Sequence, residues 1–180
     1  MSDVAALTAN YFQLFALPVD FTIDRQLLDN SYRKLQQQFH PDRFATASAA
    51  EQRLAMQISS RINEAQQALK HPRSRAAYML ELQGRDMSSE RTTNDMIFLM
   101  QQMDLREQVA EASNTADPAM TLMGLSEKTD QLEAELLNGL DDLLKSTAVE
   151  DLDQAESRVQ KLQFVEKLRV ALEAAEDCLG

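Results

Sequence analysis

Apolar positions recur at helical spacing along most of the chain. Leu28, Tyr32, Leu35 and Phe39 advance by four, three and four residues, which predicts one apolar stripe on a helix over 24–39. Arg25, Arg33, Lys34 and Gln37 fall off that stripe and are expected in solvent. Leu54, Ile58, Ile62, Ala65 and Leu69 mark a second stripe over about 49–69. Between the two lies His40-Pro41-Asp42-Arg43-Phe44, and the residue before a proline disfavours helix, so the break falls at His40. Two stripes joined by a short loop predict an antiparallel helical hairpin. A short helix over 11–15, capped by Asn10 and ended with the help of Pro18, can lie across that pair. Pro72 opens a further helix through Leu80, and Gly84 ends it.

The stretch 84–94, rich in Ser, Thr and Asn, reads as a linker or bend. Three helices follow. The first covers about 95–112. The second opens at Asp117-Pro118 and runs to about 145, with Leu132, Leu136, Leu140 and Leu143 inward. The third covers about 149–178, with Leu162, Val165, Leu172 and Ala175 at core spacing. Short connections favour an antiparallel three-helix bundle. The expected fold is therefore all-α, with a first domain over 8–83, a linker over 84–94 and a bundle over 95–180.

Composition sharpens this division. Four Gly and four Pro among 180 residues favour helix. The net charge of −11 is uneven: residues 1–90 carry ten Lys/Arg and ten Asp/Glu, and residues 91–180 carry eight and nineteen. The whole excess lies in the second half, which argues for two units with different work. An acidic chain repels phosphate backbones, so no nucleic-acid partner is expected. Cys178 is the single cysteine, so an in-chain disulfide framework is impossible and a cysteine-based zinc or cluster site lacks ligands. No secretory or mitochondrial leader is visible, and no apolar run reaches the length of a membrane span. A cytoplasmic protein without cofactor or metal is expected.

The loop carries the most specific chemistry. Pro41 fixes φ, so His40 and Asp42 present an imidazole and a carboxylate at a defined place. Arg25, Arg33, Lys34 and Arg43 can meet an acidic partner surface. Two other readings stand beside this one. Pro and Asp are common in plain turns. A catalytic His40–Asp42 pair is the other, but no Ser or Cys nucleophile motif, phosphate loop or metal-ligand cluster accompanies it. His71 reads as a helix-start residue beside Pro72. A His-Pro-Asp tripeptide in a loop between a basic helix and a second amphipathic helix resembles the J-domain. The resemblance implies a short helix plus an antiparallel hairpin that stimulates a heat-shock-type chaperone ATPase, with no ATP hydrolysis by the chain itself.

On the helix beginning near Ile97, Phe98, Leu105 and Val109 fall within about 40° and make an inward stripe. Leu99, Met100, Met103, Asp104, Glu107 and Glu111 gather within about 140° on another face. A solvated face rarely needs Leu, Met and Met together, and Met suits adaptable binding surfaces. Docking surface and packing against a neighbouring helix both remain open, and Phe164 has the same two readings.

The segments 98–107 and 161–168, with Tyr11-Phe12-Gln13-Leu14-Phe15-Ala16-Leu17-Pro18, the loop 40–44 and His71-Pro72-Arg73-Ser74-Arg75-Ala76-Ala77-Tyr78-Met79-Leu80, are similar to the HscB family of J-proteins, devoted to iron–sulfur cluster assembly. The resemblance covers nearly the whole chain after the first ten residues. It implies an L-shaped molecule whose partners are an HscA-type chaperone ATPase and an IscU-type scaffold. It places chaperone contacts at His40, Pro41 and Asp42 with the basic residues above. It places scaffold contacts at Leu99, Met100, Met103, Asp104, Glu107, Glu111 and Phe164. Met103 and Asp104 stand where Leu and Glu are usual, which keeps the chemistry and changes the reach. Some eukaryotic relatives carry an N-terminal cysteine-based zinc module. No cysteine lies there in this chain, so a bacterial form is expected. A J-protein for a different client and a structural helical adaptor are the rival readings.

Overall fold

In the computed structural model, which describes residues 3–87 and 95–179, the chain divides into two units, 1–84 and 85–180. Among the described residues it is all-α, as the periodicity predicts.

The first unit is built on a hairpin of α3 (Arg25–Phe39) and α4 (Ala49–Lys70). Asp24 caps α3, its carboxylate accepting from the N–H groups of Gln26 and Leu27 at 2.8 and 3.2 Å. Leu28 and Phe39 are buried, with Tyr32 and Leu35 half-buried between them. Tyr32 donates to Asn63 Oδ1 across the pair at 3.0 Å. A capping box starts α4: Glu51 N–H donates to Ser48 Oγ at 3.3 Å, and Ser48 N–H to Glu51 Oε2 at 2.9 Å. The buried stripe of α4 is Ala55, Ile58, Ile62, Ala65 and Leu69. Leu54 is half-buried, so the expected stripe is one residue out at its start. Steps of four from 54 to 58 to 62 drift around the helix, whereas alternating steps of three and four hold to one side.

Two short helices cover the hairpin. α1 (Asp3–Thr8), which the pattern does not predict, packs on α4 with Ala6 fully buried. α2 (Tyr11–Leu14) begins on Asn10 in a second capping box with Gln13. Its end differs from expectation. Before Pro18 is reached, Ala16 takes a left-handed φ of 55°, while Leu17 N–H donates to Phe12 O and Ala16 N–H to Gln13 O. That is the paired arrangement that ordinarily favours glycine at the turning residue.

α5 (Pro72–Leu82) folds back on α4, and its polar residues close the corner. Ser74 Oγ donates to Ala68 O at 2.9 Å, and Arg75 Nη1 donates to Leu69 O at 2.5 Å, satisfying carbonyls that the end of α4 leaves open. Arg75 Nε also donates to Phe21 O at 2.7 Å, and its guanidinium lies 5.2 Å from the Phe21 ring centre. Burial, with the nearby positive Arg25, lowers the Arg75 pKa to about 10. Tyr78 stacks on Tyr11 at 4.2 Å, and its hydroxyl accepts from Tyr11 N–H at 2.9 Å.

The second unit contains α6 (Met96–Glu111), α7 (Pro118–Leu137), α8 (Leu140–Lys145) and α9 (Val149–Asp177). α6, α7 and α8 all pack on α9, which buries residues from Leu152 to Leu172. Near its start, Arg85 pairs with Asp153 at 2.6 Å and donates to Val149 O at 3.2 Å. The expected single helix to residue 145 is divided at Asn138–Gly139, where Gly139 has φ +70° and Arg158 donates to Asn138 O. After the break Leu140 and Leu144 are buried, and Leu143 is half-buried. Residues 88–94 of the expected linker lie outside the described residues.

Candidate functional sites: an exposed turn and an exposed helix face

His40 ends α3 with ψ 129° and simultaneously begins a 3-10 turn, Pro41–Phe44. Pro41 occupies the first position of that turn, where its fixed φ suits the geometry and its missing N–H costs nothing. His40 Nδ1 accepts from Asp42 N–H at 3.3 Å, and His40 O accepts from Arg43 N–H at 3.0 Å. Arg43 Nη1 donates back to Gln37 O at 2.8 Å, tying the turn to the last turn of α3. On the other side, Gln52 of α4 donates to Ala45 O at 3.2 Å and Ala47 O at 3.1 Å. The loop is thus held at both ends while its reactive groups face water. The His40 and Asp42 side chains are 53% and 90% exposed, and His40 Nδ1 stands 3.6 Å from Asp42 Oδ2. Such an arrangement presents a ring and a carboxylate side by side at the surface.

The basic residues do not all join this site. Arg33, Lys34 and Arg43 are exposed. Arg33 and Lys34 lie about 9–11 Å from His40 along the axis of α3. Arg25 lies about 22 Å away by the same measure. It stands near Arg75, at the end of the hairpin opposite the turn. Arg25 therefore stands apart from the turn, at the other end of the same helix.

The second site is a face of α6. Met100 and Met103 are 68% and 72% exposed, Asp104, Glu107 and Glu111 are exposed, and Leu99 is half-buried at the edge. Gln108 donates to Asp104 at 2.6 Å. Phe98 and Val109 point into the bundle, as their spacing predicts, with Leu105 half-buried. Phe164 is a correction. At 4% exposure it is core, edge-on to Phe98 with ring centres 5.7 Å apart and with the Arg106 guanidinium 5.4 Å from its ring. It seats α6 on α9 and is not on the face itself.

Two residues of this surface escape the sequence reading: Met96 and Ile97, exposed at 68% and 73%. Met96 precedes Met100 by four residues, so extending the periodicity by one turn finds it. The start of α6 is firmly held. Asp95 accepts from Phe98 N–H at 3.1 Å and pairs with Lys161 of α9 at 2.7 Å, while the Lys161 ammonium sits 5.0 Å from the Phe98 ring centre. The Lys161 hydrogen bond, followed by the Phe98 N–H, holds the Asp95 carboxyl below its usual range. A carboxyl whose folded pKa is depressed stabilises above its unfolded value and loses that contribution as pH falls through the folded one. The stability gap between the parent and Asp95→Asn, which keeps a capping side chain, is expected in full near neutrality. It closes as pH drops below about 3.9, which urea melts across a pH series would measure.

A helical hairpin bearing an exposed His-Pro-Asp turn, followed by a bundle with an apolar and acidic face, defines a two-domain co-chaperone of the J-protein class. A family described as "HSCB C-terminal oligomerisation domain" matches residues 94–173. A "Co-chaperone protein HscB homolog" of Shewanella loihica is 42% identical over 171 residues, spanning 94% of this chain and 99% of the relative. "Chaperone HscB from Vibrio cholerae" superposes with a TM-score of 0.85 at 40% identity, covering 95% of this chain and 99% of that one. Human co-chaperone protein HscB shares the fold, with a TM-score of 0.83 at 23% identity over 94% of this chain and 83% of its own. The chain belongs to the HscB co-chaperone family. Among the described residues, no helix is long and apolar enough to cross a membrane.

Proposed function

We propose that the chain stimulates the ATPase of an HscA-type chaperone through the His40–Asp42 turn and delivers an IscU-type scaffold, held on α6, for iron–sulfur cluster maturation in the bacterial cytoplasm. The observation that carries this reading is the presence in one chain of two separate exposed surfaces. One is a hydrogen-bonded, basic-flanked turn, and the other is a Met-rich helix face with acidic groups. Neither needs chemistry of its own, so the chain works as a connector and not as an enzyme. Holding chaperone and client on one molecule raises their effective concentration for each other.

Steady-state ATPase measurements on an HscA-type chaperone test the reading. Turnover is expected to rise with the chain present and to rise further with the scaffold added. An unchanged rate overturns the chaperone assignment. Stimulation by a chain that captures no scaffold would point to a different client. On α6, a Met100→Ala, Met103→Ala double variant is expected to weaken scaffold binding by about tenfold or more in calorimetry, since exposed interface residues of this kind carry affinity and not fold. Its helicity should stay intact, because Ala is the better helix former.

A further inference from the structure

Along α6 the exposed groups are sorted by chemistry. Met96, Met100, Met103 and Glu107 follow one another at steps of four, three and four, and so share one line on the helix. Ile97, Asp104 and Glu111 run beside it on one flank. The first two turns of this surface are wholly apolar, and the last two hold all its acids. No basic residue occupies the last turn, so Glu111 meets the negative end of the helix dipole without a cation in that turn. An acid at that end of a helix disfavours it, and the four exposed side chains of Met96, Ile97, Met100 and Met103 add nothing to the core. Both features suit a surface made for a partner. The ion pair of Asp95 with Lys161 fixes the first turn, so Met96 and Ile97 are presented by a held segment.

We propose that Met96 and Ile97 extend the α6 docking face by one turn toward its N-terminus, meeting an apolar patch on the scaffold next to the basic groups that face Asp104, Glu107 and Glu111. The inference rests on the reading of α6 as the scaffold-docking face. Apolar contact at one end and charge at the other also fix the direction in which the scaffold lies along the helix.

Calorimetry with the full chain and an IscU-type scaffold tests it, with Met103→Ala as the reference. A Met96→Ala, Ile97→Ala variant is expected to raise Kd about fivefold to tenfold without altering the dependence of Kd on salt, whereas Glu107→Gln, Glu111→Gln reduces that dependence. Ile97→Glu is expected to weaken binding as well. Tighter binding by Ile97→Glu would show a basic contact there and overturn the proposal. An unchanged Kd for the Met96, Ile97 variant, beside weakened binding by Met103→Ala, overturns the extension alone. If Met103→Ala also binds like the parent, the docking reading itself falls. A drop in Tm that accounts for the loss would make the two residues structural and overturn the extension too.

Discussion

Asp42→Asn is expected to lose chaperone stimulation almost completely, a drop of at least about tenfold toward the unstimulated rate, while fold and scaffold affinity stay unchanged. The turn does not depend on the carboxylate. Its internal bonds use the backbone N–H and C=O of Asp42, the imidazole of His40 and the guanidinium of Arg43, all of which the substitution leaves in place. Asn has the same shape and differs by one charge. With the side chain 90% exposed and the His40 imidazole 3.6 Å away, that charge is turned mainly outward. Charge-assisted hydrogen bonds are about twice as strong as neutral ones, so a partner arginine or lysine would register the change sharply. Steady-state ATPase assays, with circular dichroism and scaffold calorimetry on the same preparations, separate the effects. Equal stimulation by variant and parent would sink the J-domain role of the loop.

Phe164→Ala is expected to cost about 3–5 kcal/mol of bundle stability, the usual range for deleting a buried aromatic ring. The edge-on pair with Phe98 adds about 0.5–1.5 kcal/mol beyond area burial, and it joins α6 to α9 beside the Asp95–Lys161 ion pair. Against a typical total of about 5–15 kcal/mol, such a loss lowers Tm by roughly 12 °C or more. Scaffold affinity should fall with it, because α6 loses its seat. Phe164→Leu, which refills most of the space, should recover the greater part of both. A Phe164→Ala chain with unaltered Tm and weakened docking would instead place Phe164 at the interface.

The difficulty with Phe164 shows where periodicity stops being informative. α3 buries one side against one partner helix, so Leu28 and Phe39 declare it. α9 is packed by α6, α7 and α8 along its length, and its buried positions turn from Leu152 and Ala155 round to Phe164 and Leu168. A helix with several neighbours has no single stripe, so spacing alone cannot sort its core from its surface. α1 was illegible for the opposite reason: six residues are too few to establish a period. The break between α7 and α8 could have been read from Asn138-Gly139, since that dipeptide favours turns, but the leucines at 136, 140 and 143 continue a helical pattern across it. The two exposed sites were legible in different ways. The turn announces itself through proline chemistry. The α6 face emerges as surplus apolar residues, and the exposure of Met96 and Ile97 on the same helix is not legible from spacing alone.

The corner made by Arg75 bears on how the first unit carries load. Tension arriving through the chain beyond Gly84 enters α5 before anything else. There the links of Arg75 to Phe21 and Leu69, and of Tyr78 to Tyr11, pass it to the loop before α3 and the start of α2. The His40–Asp42 turn sits at the far end of the hairpin, about 33 Å along α4. Because Leu69 belongs to α4 and Gln52 of the same helix holds the carbonyls of Ala45 and Ala47, one continuous helix connects the corner at Arg75 to the turn.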